Sequence, residues 1–151
     1  MGDGEILKDT TRSTGRDALK KNVQAAIALA GAIRSTLGPK GLDKLLIDDD
    51  GRTLVTNDGV TVLETAKVEH PVAKMVIGAS SLQDKIAKDG TTSTVILSSE
   101  MLRNAWELVV QGIHPAVIAR GFRMAEQKII SEIEKYTTVG NEELFKQAAI
   151  S

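Results

Sequence analysis

Arg16-Asp17-Ala18-Leu19-Lys20-Lys21-Asn22-Val23-Gln24-Ala25-Ala26-Ile27-Ala28-Leu29-Ala30-Gly31-Ala32-Ile33-Arg34-Ser35-Thr36-Leu37 decides how the chain is read. Leu19, Val23, Ala26, Ile27, Ala30, Ile33 and Leu37 recur mostly at spacings of three and four, which marks one face of a helix. Gly38-Pro39 stops it. Beyond the Lys40-Gly41 turn, Leu45-Leu46-Ile47 and Thr53-Leu54-Val55-Thr56 flank Asp48-Asp49-Asp50-Gly51, two β-prone runs around an acidic turn, and predict a hairpin.

Three more helices are expected on the far side of the hairpin. One starts near Pro71; one follows Gly90, with Val95, Leu102, Trp106 and Val109; one starts at Pro115, with Ile118, Phe122, Ala125, Ile129 and Ile133. Proline suits a first helical turn, because its fixed φ fits and its missing N–H has no acceptor there. Thr138-Val139-Gly140-Asn141 breaks the pattern, and a short helix from Glu142 to Ile150 follows. The fold class is mainly α, multihelical with one β-hairpin. Aromatic residues make up only 3%, so Ala, Val, Ile, Leu and Met must build the core, a composition suited to packed helices. Two strands alone are marginal in water. The hairpin therefore either packs on the helices or adds to a sheet whose other strands come from a neighbouring chain or another segment; the second is the expectation.

With 151 residues the chain has the size of one ordinary domain. Hydrophobic residues at 42% and charged residues at 26% are those of a folding, soluble chain. Nineteen basic and 20 acidic residues leave a net charge of -1, which disfavours nucleic acid and anionic membranes as partners. There is no cysteine, so disulfides and thiolate metal sites are excluded, in keeping with a cytoplasmic location. Met1 to Asp9 contains Asp3 and Glu5 and no apolar run of the kind a secretory signal needs. Ile6 stands where Met1-Gly2 myristoylation would need Ser or Thr. No apolar stretch approaches the roughly 20 residues that span a bilayer.

The possible chemistry lies in glycine-bearing segments. A Walker A loop is absent, and an EF-hand centred on Gly51 would put Leu46 and Asn57 at positions that need carboxylates. The acidic Asp48 turn reads as a solvated turn. Asp89-Gly90-Thr91-Thr92-Ser93 joins a glycine to hydroxyl residues at a helix start, where free N–H groups favour an anion; Asp89 can share a Mg²⁺ with phosphate oxygens. Plain N-capping uses the same residues. Thr36-Leu37-Gly38-Pro39-Lys40-Gly41 either lets backbone approach a ligand beside the Lys40 cation or is a C-cap turn. Asp58, between Asn57 and Gly59, either orients water near a phosphate or belongs to an Asn-Asp-Gly turn. His70 and His114 each precede proline and read as helix-entry residues rather than metal ligands.

Taken together, Ser35 to Lys44, Thr56-Asn57-Asp58-Gly59-Val60-Thr61-Val62-Leu63, Glu69-His70-Pro71-Val72-Ala73-Lys74-Met75 and Asp89-Gly90-Thr91-Thr92-Ser93 resemble, in order and spacing, the group II (thermosome-type) chaperonins. Gly15-Arg16-Asp17-Ala18 and Gly112-Ile113-His114-Pro115 add to the likeness, which runs from about Thr10 to the end. The resemblance is to the N-terminal part of the equatorial domain. It implies a flexible N-terminal segment at 1–15, an ATP-binding segment at 16–140, and at 141–151 the start of the connection to an intermediate domain. It implies ATP and Mg²⁺ as ligands, with Thr36, Leu37, Gly38, Pro39, Lys40 and Gly41 against the nucleotide and Asp89 on the metal. Gly90, Thr91, Thr92 and Ser93 would hold phosphates, and Asp58 would sit near the attacking water. By the same resemblance the hairpin at Leu45 to Thr56 joins a sheet with the adjacent ring subunit.

Complete members couple ATP hydrolysis to the folding of unfolded protein clients in a ring. They carry intermediate and apical domains and a second equatorial segment with a further aspartate, beyond what this sequence includes. Members also usually carry an acidic stretch and then glycine before Asp-Gly-Thr-Thr, where this chain has Lys85-Ile86-Ala87-Lys88. A lysine in a position requiring positive φ costs of order 1 kcal/mol. Its ammonium either competes with Mg²⁺ for Asp89 or helps hold a phosphate. Lys88 therefore supports an alternative function, a non-catalytic assembly or regulatory protein that has lost hydrolysis.

Overall fold

The computed structural model describes residues 13–47, 50–66 and 68–150. Most of the 1–15 segment and Asp48 and Asp49 of the acidic turn lie outside the described residues. The elements run α1 (Gly15–Ile33), a 3-10 turn (Arg34–Thr36), β1 (Lys44–Ile47), β2 (Thr53–Thr56), α2 (Gly59–Thr65), α3 (Pro71–Ala87), α4 (Thr91–Val110), α5 (Pro115–Tyr136) and α6 (Glu142–Ile150). They form two compact units, one reaching to Val110 and the other starting at Gln111.

In the first unit α1, α3 and α4 pack on one another, and α2 touches all three. The core joins Ala26, Leu29, Ala30 and Ile33 of α1 to Val62 and Leu63 of α2, Ala73 and Val76 of α3, and Val95 of α4. No aromatic residue is among them. Small alanines let the helix axes come close, which is how a chain so poor in aromatics reaches a close-packed interior. Two buried hydroxyls fasten α4 to its neighbours: Ser99 Oγ donates to Ala26 O at 2.8 Å, and Ser80 Oγ of α3 donates to Thr91 O at 3.0 Å.

The hairpin forms as expected, antiparallel, with Leu45 opposite Val55 and Leu46 opposite Leu54. Leu46 packs against the core, while Leu45, Ile47 and Val55 on the opposite face stay more than 60% exposed. Among the described residues the sheet has two strands.

Two points differ from expectation. The first helix ends at Ile33, earlier than Leu37, because Thr36 Oγ1 donates to Ile33 O at 2.8 Å and Leu37 N to Arg34 O at 3.3 Å, tightening the exit into a 3-10 turn. Its buried face includes Leu29, whereas Leu19 and Ile27 are each 38% exposed. With α3 and α4 both against it, Leu29 joins the expected Ala26, Ala30 and Ile33 in the interior. The second is an addition: α2 follows the Asn57-Asp58-Gly59 segment, where the sequence predicts no helix.

In the second unit, His114 Nδ1 accepts from Ala116 N at 3.2 Å and Pro115 opens α5. Asn141 Oδ1 likewise accepts from Leu144 N at 2.9 Å at the start of α6. The apolar stripe of α5 is present, but no side chain of α5 or α6 is buried, and Phe122, Ile129 and Ile133 remain open. The helix is as expected; its core partner is not found among the described residues of this unit.

Candidate functional site

Thr36 to Gly41 forms a loop folded on itself. Gly41 N donates to Gly38 O at 2.8 Å and Leu42 N to Ser35 O at 2.7 Å. A β-carbon on Gly41 would collide with the Thr36 carbonyl oxygen and come within 2.9 Å of Gly38 O, so only glycine fits there. Thr36 is buried; Leu37, Gly38, Pro39 and Lys40 are exposed. The loop has a tether. Arg34, in the turn that leads into it, pairs with Glu100 of α4, and Arg103 Nε donates to Glu100 Oε2 at 2.8 Å. Arg34 first, then Arg103, holds the Glu100 carboxyl below the usual range.

Asp58 caps α2. Its carboxylate accepts from the Thr61 hydroxyl at 2.6 Å, from Thr61 N at 2.9 Å and from Val60 N at 3.4 Å. The Thr61 hydroxyl bond leads, and with the two amides it outweighs partial burial to hold the Asp58 carboxyl below its ordinary value. Such a group stays ionised and is a weak proton acceptor. It can orient a donor but is poorly matched to removing a proton at neutral pH. Thr61 is a residue that sequence reasoning gave no role; its position three after an Asp was the available signal.

Asp89 to Ser93 links α3 to α4. Asp89 is exposed, and its carboxylate accepts from Gly90 N at 2.6 Å. Gln83 Nε2 donates to Asp89 O at 3.1 Å, and Thr94 N and Oγ1 both donate to Gly90 O. As at any helix start, the N–H groups of Thr91, Thr92 and Ser93 have no acceptor within the helix, and the helix dipole favours an anion beside them. Ser80 and Gln83, polar residues three apart on α3, hold this turn from below; neither was singled out from the sequence. Lys88, just before it, has φ 56° and ψ 19°, a left-handed conformation held by no other non-glycine residue among those described. Lys88 thus adopts a backbone conformation that favours glycine. Its ammonium lies 3.5 Å from Asp84, not on Asp89.

The fold brings two of these segments into contact. A β-carbon on Gly59 would collide with Thr92 Oγ1, so the residue after Asp58 lies directly against the first turn of α4. Helices α1 and α4 run antiparallel: Arg16 reaches Val109 O, and Ser99 reaches Ala26 O. The 3-10 turn touches α4, so the glycine loop leaves α1 at the end of the pair nearer Thr91. His70 and His114 are caps through Nδ1, with no part in the cluster's bonding.

For a metal, the donor set is thin: no cluster of three or more His, Cys, Asp or Glu side chains occurs among the described residues. A lone exposed carboxylate such as Asp89 suits Mg²⁺, which takes one or two carboxylates and fills its shell with phosphate oxygens and water.

The model of the TCP-1/cpn60 chaperonin family matches residues 29–151. The chain belongs to this chaperonin family. It is 49% identical over 148 residues to thermosome subunit alpha of Archaeoglobus fulgidus, covering 95% of this chain and 27% of that relative. Thermosome subunit beta of Thermoplasma acidophilum is 46% identical over 153 residues, covering 97% of this chain and 28% of the relative. A thermosome subunit of Methanopyrus kandleri is 48% identical over 141 residues, covering 91% and 26%. This chaperonin chain thus spans about a quarter of the length of the relatives it matches. No helix among its described residues is long and apolar enough to cross a membrane.

Proposed function

We propose that the chain is the ATP-binding segment of a ring-forming cytoplasmic chaperonin. The observation that carries this reading is the seating of Gly59 against Thr92, which joins two glycine segments of the chain at one helix start. The phosphates would lie at the N–H groups of Thr91, Thr92 and Ser93, with Gly90 leaving the approach open. The loop Thr36-Leu37-Gly38-Pro39-Lys40-Gly41 would line the nucleotide, and Asp89 would hold Mg²⁺ together with phosphate oxygen. A metal held there would supply positive charge to offset that of the phosphates. Asp58, kept ionised by Thr61, would orient the attacking water while it caps α2. The equatorial segment would span 16–140.

The relatives are named as subunits, which supports assembly with neighbouring chains, here through the hairpin at 45–56. Its open face, and the two edges left unpaired among the described residues, suit strand addition. Folding of unfolded clients belongs to the complete assembly. One observation favours a second reading, binding without turnover: a lysine fills the strained position beside Asp89.

Calorimetric titration with ATP and Mg²⁺, beside an Asp89→Ala variant and with phosphate release followed in the same samples, tests both. Binding that needs Mg²⁺ and is lost in the variant is expected. Phosphate release then separates an ATPase from a silent binder, and absence of binding rejects the site.

A further inference from the structure

Lys88 combines three properties found together at no other non-glycine residue described: positive φ, direct attachment to Asp89, and an ammonium held by a single exposed contact. The backbone is fixed from both sides. Lys88 N donates to Asp84 O at 2.9 Å, closing α3, and Gln83 Nε2 holds the Asp89 carbonyl. The side chain is not fixed. Its partner Asp84 is 3.5 Å away, and the Lys88 side chain is 75% exposed. An exposed pair of this kind contributes little, so a phosphate competes readily for the ammonium. The left-handed turn thus anchors, one residue before the carboxylate proposed to carry the metal, a cation whose contact with Asp84 is exposed.

We propose that the Lys88 ammonium is a second cation for the phosphate end of the nucleotide, so that binding is less dependent on a divalent metal than Asp89 alone would make it. This rests on the nucleotide reading above. Lys88 is a positioning and affinity residue in this role. It exchanges Asp84 for a phosphate oxygen, and no bond is made or broken.

The purified chain is titrated with ATP by calorimetry in Mg²⁺ and again in EDTA, together with Lys88→Met and Lys88→Arg. The expected result is measurable affinity in EDTA that falls roughly tenfold in Lys88→Met, the worth of one charge-assisted hydrogen bond. Affinity in Mg²⁺ should change much less, and Lys88→Arg should retain binding in EDTA. A chain that binds Mg·ATP but loses all affinity in EDTA overturns the second-cation role and leaves the nucleotide site standing. Unchanged EDTA affinity in Lys88→Met does the same. A chain that binds ATP in neither buffer overturns the nucleotide reading, and this role with it.

Discussion

Asp58 shows how one carboxylate serves a structural task in a place where chemistry is expected. Its folded pKa lies below the unfolded value, so its contribution to stability is complete above about pH 4 and is lost as pH falls through the lower folded value. Asp58→Ala should cost about 1 kcal/mol at pH 7, with the gap to the parent closing below about pH 4 in urea unfolding curves. Asp58→Asn should keep most of the cap, because asparagine accepts the same amide bonds. At Gly59 the constraint is space. Gly59→Ala pushes a methyl into Thr92 and should cost about 1–3 kcal/mol, partly recovered when Thr92→Ala removes the hydroxyl it meets. A Gly59→Ala variant as stable as the parent would place Thr92 elsewhere.

At the scale of elements, the long helices were legible because periodicity and punctuation agreed: Pro71, Gly90 and Pro115 all fall at or beside real helix starts, whereas α1 ends five residues before Gly38. Helix α2 was not. It has seven residues, too few for periodicity to show, and Val60-Thr61-Val62-Leu63 has the β-branched look of a strand. Tertiary contacts decide it, with Val62 and Leu63 buried against α1 and α3, and Asp58 closing its open end. The choice of Leu29 over Ile27 for the interior is of the same kind, set by partners distant in sequence. The site divides likewise. Glycine and hydroxyl segments can be read in one dimension, but the meeting of Gly59 with Thr92 and the support from Ser80 and Gln83 depend on how helices cross. Ile33, fully buried where α1 ends, anchors this arrangement. Ile33→Ala should cost about 2–5 kcal/mol by chemical denaturation, more than a half-buried site such as Ile96.

Across the whole molecule, burial is uneven. The unit ending at Val110 holds the buried core, while α5 and α6 contribute no buried side chain. Local stability follows buried contacts. Amide hydrogen exchange should therefore be slowest in α1 and α4 near Ala26 and Ser99 and faster throughout Pro115–Tyr136; equal protection in both units would contradict this. The apolar stripe of α5, with Val117, Met124, Ile130 and Ile133 more than half exposed, has the surface of a helix in a larger body. That agrees with relatives about four times as long as the aligned region.

The contact between Gly59 and Thr92 has a mechanical side. With no clearance between them, the first turn of α4 cannot advance or rotate toward α2 unless α2 gives way. Helix α2 in turn touches β1, whose Leu46 rests on the core. Thr92 meets Gly59 and α2 meets β1, so a series of contacts runs from a helix start to the strand pair. A displacement of Thr92 toward α2 would therefore be met first by Gly59, on the helix that touches β1.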